Sequence, residues 1–399
     1  MKKILMLGGI RYLLPVIKAA HDKGCYVITC DYLPNNVAHR YSDEFCNVSI
    51  TDKERVLAAA SELGVDGIMS FGTDPGVETA AYVAEKLSLP SCGSYEAVRV
   101  LQQKSLFRKF LKDNGFNVPF FKSFSSLEDC LDEIGEEDMP VIVKPTDSAG
   151  SKGVSKASSR NEMAAAVANA LRFSRNGQFI VEEFIEPQGF ASDSECFSVD
   201  GKLVFASFSN QHFDKKAVNP YVPSAYSWPS TMEESSRRFL ESEIQRLVSL
   251  LGLGTSIYNV ETRVGKNGKP YIMECSPRGG GNRLAEIVSR ATGVDLIGNA
   301  VAATIGESVN IPANYCYDGY WAECILHAYE SGSYRGIEID ERLLPFVNEK
   351  DEWLSEGDGV DAFEGANASA GTVVFRFDDK KTSDEYMSRM FDLVKVKVQ

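Results

Sequence analysis

The sequence predicts an α/β protein: an N-terminal parallel-sheet domain, two α+β subdomains behind it, and a small strand-rich subdomain at the C-terminal end. Three observations predict it. Near the start, residues 3–7, 26–30 and 67–71 are apolar throughout and separated by helical stretches, the pattern of strands buried on both faces of a parallel sheet. In the middle, Asp200-Gly201 and Asn267-Gly268 each lie between strand-forming runs, and such pairs are strong hairpin signals. From about Tyr315 the pattern turns to strands again, at residues 321–327, 334–339 and 371–377.

At 399 residues the chain is too long for one ordinary core and suggests two to four compact units. The expected divisions are an N-terminal α/β domain at 1–93, a linking helix at 94–115, α+β subdomains at 116–185 and 186–310, and a C-terminal subdomain at 311–399. A net charge of -14 argues against a nucleic-acid surface, which needs a concentrated basic patch. The first residues faintly resemble a signal peptide, but Arg11 interrupts the apolar run early, and no span is long enough to cross a bilayer. Nine cysteines without a CxxC pair, several in apolar runs such as Cys25, Cys30 and Cys275, read as buried thiols in a reducing cytosol. His21, His39, His212 and His327 show no metal-ligand spacing, and each reads as structural.

Along the chain, the first sheet ends its strands at Gly8-Gly9 and Asp31, where such sheets bind ligands. The GxGxxG and GxxxxGK[ST] loops are both absent, so a dinucleotide site has weak support. Residues 94–114 read as one helix closed by Gly115 and carrying Lys104. A short strand at 118–124 follows, then a helix capped by Ser126 with Glu128 and Asp129 in its first turn. The strand at 141–145 carries Lys144, and a lysine on a buried strand calls for an anion. Residues 146–154 form a small-residue loop that is either a solvated glycine turn or a cradle for phosphate oxygens. Residues 178–185 read as a strand running into a connector. Residues 210–229, rich in aromatic, proline and polar residues, are expected to loop across a substrate pocket. Helices are expected at 233–251, stopped by Gly252, and at 283–291 and 295–305.

The most informative stretch is Tyr271-Ile-Met-Glu274-Cys-Ser276-Pro-Arg278 together with Asn259-Val-Glu261-Thr-Arg263 upstream. With Asn267-Gly268 as a two-residue turn, Lys266 opposes Lys269 and Glu261 opposes Glu274. Like charges opposed across a ladder are destabilising, so a cation is expected between them, and magnesium takes one or two carboxylates plus phosphate oxygens. Ser276 and Arg278 follow on the same face, and the planar arginine fork suits a phosphate or carboxylate. An exposed hairpin with solvated carboxylates and Arg263 as partner is the plainer reading.

Taken together, these residues resemble the ATP-grasp superfamily over about residues 1–306. The shared order is a lead parallel-sheet (pre-ATP-grasp) domain, a helix with Lys104, a strand ending Val-Lys144-Pro, a glycine-rich loop, a Val-Glu182-Glu183-Phe-Ile185 hinge and a final Glu261…Glu274-x-x-Pro-Arg278 pair. The resemblance implies an ATP-grasp architecture in which Lys104 and Lys144 bind the α and β phosphates of ATP and Ser148, Ser151, Lys152 and Gly153 close over the triphosphate. It implies that Glu182, Glu183 and Ile185 hold the adenine, partly through backbone groups, with Met273 against the ring, and that Glu195 holds the ribose. Glu261 and Glu274 would carry Mg2+ (or Mn2+), with Ser276 standing where relatives usually place a ligating asparagine. Arg278 and Arg283 would face the transferred phosphate and the acceptor carboxylate. The implied reaction activates a small carboxylic acid as an acyl phosphate and joins it to an amine, as in L-amino-acid ligases and glycinamide-ribonucleotide-synthetase-like enzymes. A bicarbonate-activating enzyme of the carboxylase or carbamoyl-phosphate type is the alternative, and a non-catalytic nucleotide-binding regulator a third reading. The resemblance implies a cytoplasmic homodimer acting on small molecules, with no nucleic-acid or membrane partner.

Overall fold

The computed structural model describes residues 1–148 and 150–399. The first sheet is parallel, in the order Glu44–Cys46, Tyr26–Cys30, Lys3–Leu7, Gly67–Ser70. Lys3–Leu7, Tyr26–Cys30 and Gly67–Ser70 are largely apolar because each face of the sheet meets a different core. Ile4 and Met6 pack with Val16 and Ile17 of the Leu14–Asp22 helix, while Leu5 and Leu7 pack with Val56 and Ala60 of the Lys53–Leu63 helix. Alternate residues of a strand point to opposite faces, so both sets must be apolar.

Two antiparallel sheets form the centre. One runs Phe121–Phe124, Phe179–Glu183, Val141–Pro145, Ser155–Ala157, and its buried Val141, Val143, Phe179 and Val181 meet Ala166, Val167 and Ala170 of the Met163–Phe173 helix. The other runs Lys202–Ser207, Ser192–Val199, Ser256–Val264, Pro270–Ser276. The Glu234–Leu250 helix covers one of its faces through Leu240, Ile244, Leu247 and Val248, an i, i+4, i+7, i+8 stripe. The expected Asp200-Gly201 turn is present, with φ of 49° and 78° at its two residues and Val199 paired with Lys202. Positive φ at both central residues is the turn whose twist matches the strands it joins.

Two expectations fail. Residues 210–229 are not an irregular loop, since Asn210–Phe213 and Pro223–Trp228 are strands of a five-stranded sheet with Tyr320–Leu326, Gly371–Phe377 and Val347–Glu352. That sheet joins strands from both sides of residue 311, and the short strands Gly359–Val360, Gly332–Ile339 and Val394–Val398 form another beside it. Secondly, the single helix expected at 94–114 is two, Tyr95–Gln102 and Lys104–Asp113, broken at Gln103 (φ -97°, ψ 109°). No local breaker explains this. The break lets Gln102 donate to Ser276 Oγ at 2.9 Å and Gln103 to Glu78 at 3.3 Å, and it sets Lys104 at the start of a helix facing the central cavity. Among the described residues no helix is long and apolar enough to cross a membrane.

Candidate active site

Glu261 and Glu274 are register partners on adjacent strands, but not through the turn expected. Val264 pairs with Pro270, and the Gly268 N–H donates to the Gly265 carbonyl at 2.8 Å. The turn therefore holds three residues between Gly265 and Lys269, with Gly268 at φ 74°. Lys266 does not oppose Lys269; Gly265 does, its N–H donating to the Lys269 carbonyl at 2.9 Å. This shifts the pairing by one, and a bulge between Glu261 and Thr262 shifts it back, leaving Met273 as the extra residue.

The two carboxylates enter a cavity of about 1670 Å³, with side chains 33% and 46% exposed. Both remain reachable by a small ion. Burial, and then the charge of Glu274, pushes Glu261 above the usual carboxylate range. Burial also works against the charge of Glu274, but Lys104 and Lys144 outweigh it and hold that group low. Lys104 Nζ lies 3.2 Å from Glu274 and donates to the Ser148 carbonyl at 2.8 Å.

Lys144 is not left bare on its strand. Its Nζ lies 2.8 Å from Glu182, and Arg108 Nε lies 2.7 Å from the other oxygen of the same carboxylate. Glu182 and Arg108 are 2% and 1% exposed. Burial opposes the Glu182 charge, yet Arg108 and Lys144 together hold it down at about 2. Its side chain is thus committed to two cations, which leaves its backbone groups for any contact with an adenine ring. Glu183, Ile185 and Met273 do line the cavity. Ile185 and Met273 form a buried apolar patch with Tyr271, and the Ile185 carbonyl accepts from Arg263 at 3.3 Å.

Of the glycine-rich loop, Ser148, Ser151 and Lys152 line the cavity; Ala149, inside the expected loop, lies outside the described residues. Gly153 faces away, at φ +72° with its Cβ position 3.2 Å from the Asn169 carbonyl, so it shapes the loop and does not wall the cavity. Ser276 and Arg278 share a partner not foreseen, Asp74. The Ser276 hydroxyl donates to it at 2.9 Å, and Arg278 grips it at 2.7 to 2.9 Å through Nε and Nη2.

Two further expectations are overturned. Glu195 is 1% exposed and accepts from the Gly280 N–H at 2.9 Å and the Asn259 amide at 3.0 Å, so it is covered by the glycine run and is not placed for a ribose. Arg283 turns to Glu286, to Glu349 at 2.8 Å and to Thr372 at 3.1 Å, beside a separate cavity of about 200 Å³. At the carboxyl ends of the first sheet, a Cβ on Gly9 would lie 2.6 Å from both Asn36 and His39, so the chain's own side chains fill that crevice.

Four residues that the sequence did not single out shape the site: Arg108, Asp74, Asp193 and Asn259. Arg108 lies one turn after Lys104 on the same helix face, a signal that was present. Asp193 lines the cavity beside Glu261, with burial, then the Glu261 charge, pushing it up to about 7. It lies two residues before Glu195 on one strand and hence on the same face.

Residues 137–286 match the family model of the ATP-grasp domain. The carbamoyl phosphate synthase large chain of Thermotoga neapolitana is 24% identical over 293 residues, which make up 73% of this chain and 26% of that one. The chain thus spans about a quarter of the length of that relative. Among solved structures, an L-amino acid ligase from Bacillus licheniformis shares the fold with a TM-score of 0.82 at 19% identity, over 100% of this chain and 99% of that one. A phosphoribosylglycinamide synthetase from Anaerococcus prevotii does so with a TM-score of 0.76 at 20% identity, over 100% of both. The matched segment holds Lys144, the glycine loop, the hinge and the acidic hairpin, and over residues 137–286 the chain is similar to the ATP-grasp domain family.

Proposed function

We propose that the protein is an ATP- and Mg2+-dependent, ADP-forming ligase that activates a small carboxylic acid, an amino acid by this reading, and joins it to an amine. The observation that carries it is the convergence of Glu261, Glu274, Lys104 and Lys144 on one cavity of about 1670 Å³. That volume exceeds what one drug-sized ligand needs and suits a nucleotide with two further substrates.

The residues fit the ion. Two partly exposed carboxylates face each other, with Arg263 3.8 Å from Glu261 and Lys104 3.2 Å from Glu274. Among the described residues no group of three or more acidic, histidine or cysteine side chains gathers to cage a metal, as expected where phosphate oxygens and water complete the shell. Glu261 and Glu274 would hold magnesium, which would supply positive charge to offset that of the triphosphate. Lys104 and Lys144 hold phosphate oxygens, with Glu182 keeping Lys144 aimed. Ser148, Ser151 and Lys152 cover the triphosphate, and the Ile185–Met273 patch takes the adenine with Glu183 at its edge. Arg278, with Nε and Nη2 held by Asp74 and one Nη1 N–H on the Gly279 carbonyl, has a single Nη1 N–H left to offer the acid. A substrate carboxylate oxygen attacks the γ-phosphorus, ADP leaves, and the amine displaces phosphate from the acyl phosphate. Such chemistry needs positioning and charge stabilisation more than a protein nucleophile.

The test is phosphate release over paired amino acids and small carboxylates, with Glu274→Gln as control. Release that depends on an acid–amine pair and is abolished in the folded variant supports the reading; unchanged turnover in that variant removes the metal assignment. The carbamoyl phosphate synthase likeness favours a second reading, bicarbonate activation, which wins if bicarbonate alone stimulates release.

A further inference from the structure

The acidic face of the central sheet extends beyond the hairpin. Asp193 is the register partner of Glu261 on the strand away from Glu274, so Glu274, Glu261 and Asp193 form a row across three strands, each step about 4.8 Å. Glu274 has Lys104 at 3.2 Å and Glu261 has Arg263 at 3.8 Å. The Arg278 charge reaches Asp193, but that guanidinium is committed to Asp74 and to the Gly279 carbonyl.

What fixes Asp193 is neutral. The Asn259 amide donates to one oxygen at 2.7 Å, and the Tyr226 hydroxyl approaches the other at 3.4 Å. Tyr226 accepts from the Asn282 amide at 3.2 Å, and the Asn282 oxygen accepts from Tyr12 at 2.9 Å. A carboxylate walled by hydroxyls and amides, and facing a cavity, has among the described residues only the pull of an arginine already paired with Asp74 to offset its loss of water. The lysine that contacts the row stands at the opposite end, on Glu274, where the phosphates would lie. A cationic group of a substrate is the complement left for the Asp193 end.

We propose that Asp193 is the docking carboxylate for the ammonium group of the amine substrate. The inference rests on the ligase reading and deepens it: the acceptor is a primary amine carried as its ammonium ion, such as an amino acid, and not a phosphate ester. Its place one strand beyond the pair that faces the transferred phosphate sets the amine on the acyl side of the intermediate, where the docked ammonium passes one proton to the Asp193 carboxylate and the neutral amine displaces phosphate from the acyl carbon, the departing phosphate taking the second proton.

The experiment compares the wild type with Asp193→Asn, isosteric and uncharged, and Asp193→Glu. Hydroxylamine, small and neutral, traps an acyl phosphate as its hydroxamate and reports acid activation without the amine; ligation reports both steps. The KM for the amine is expected to rise on the order of 10- to 100-fold in Asp193→Asn, the range of a charge-assisted hydrogen bond. Any fall in hydroxamate yield should be at least tenfold smaller, with partial recovery in Asp193→Glu. Equal losses in the two assays would make Asp193 part of the phosphate and ion site and overturn the inference, as would an unchanged amine KM. If the wild type gives no hydroxamate with any acid, the ligase reading fails, and the ammonium site is then judged by L-alaninamide binding with ADP and Mg2+. A thermal shift seen in the wild type and lost in Asp193→Asn (or in Asp193→Ser if the former does not fold) supports it. Equal shifts, or none in the wild type, refute it.

Discussion

Replacing Glu182 with glutamine isolates the ion triad behind the phosphate lysine. The carboxylate is 2% exposed, lies 2.7 Å from Arg108 and 2.8 Å from Lys144, and is held at about 2 against an ordinary 4.5. A shift of that size corresponds to roughly 3 kcal/mol, and breaking a buried ion pair by removing one partner costs about 3–5 kcal/mol. The two routes agree near 3 kcal/mol, which for a domain of this scale lowers the melting temperature by roughly 6–12 °C. Because the folded pKa lies below the unfolded one, this stabilisation is whole above pH 4.5 and is lost as pH falls toward 2. Calorimetric melting of wild type and Glu182→Gln at pH 7 should therefore differ by that amount, and the curves should converge between pH 4.5 and 2. A difference under about 2 °C at pH 7, or curves that stay parallel into acid, would show that Glu182 does not carry the charge balance described.

Lys144→Ala should weaken ATP binding on the order of 10- to 100-fold, measured by titration calorimetry, and affect acid binding far less; equal effects would count against its phosphate role. Gly280→Ala would put a methyl 2.6 Å from Glu195, 2.7 Å from Leu284 and 2.8 Å from Asn259, so a loss of about 1–3 kcal/mol is expected from overpacking, and an unchanged urea midpoint would refute it. Glu195 is pushed up to about 8, first by burial and then by Asp193. Its folded pKa exceeds its unfolded one, so its contribution is complete below pH 4.5 and is lost as pH rises toward 8. Glu195→Gln should flatten the fall in melting temperature between pH 5 and 8, and an equally steep fall in the variant would refute the assignment.

What the sequence revealed was what local pattern encodes. Apolar strands such as Lys3–Leu7 announce burial on two faces, Asp200-Gly201 announces its turn, and Lys144 on an apolar strand announces an anion. What stayed hidden depends on partners far along the chain. An arginine in an amphipathic helix ordinarily faces water, and partners on two sheets, the Glu182 carboxylate and the Met273 carbonyl at 2.7 Å, make Arg108 a core residue. Asn210–Phe213 and Pro223–Trp228 look irregular because the second of them pairs with the much later Tyr320–Leu326. The helix break at Gln103 likewise answers to Ser276 and Glu78. Glu195 and Arg283 were misjudged for the same reason: family order places a residue on a strand or helix, while the side chains packed over it decide whether it meets the cavity.

The hairpin reached the right pairing by two errors of opposite sign, a turn one residue longer than its sequence suggests and a compensating kink beside Glu261. Facing alternates with every residue along a strand, so shortening the loop alone would bring Cys275 opposite Glu261, straightening the kink alone would bring Met273 there, and either would silence the pair. Loop length and kink can therefore change only in concert, and any drift in this segment must keep their sum even.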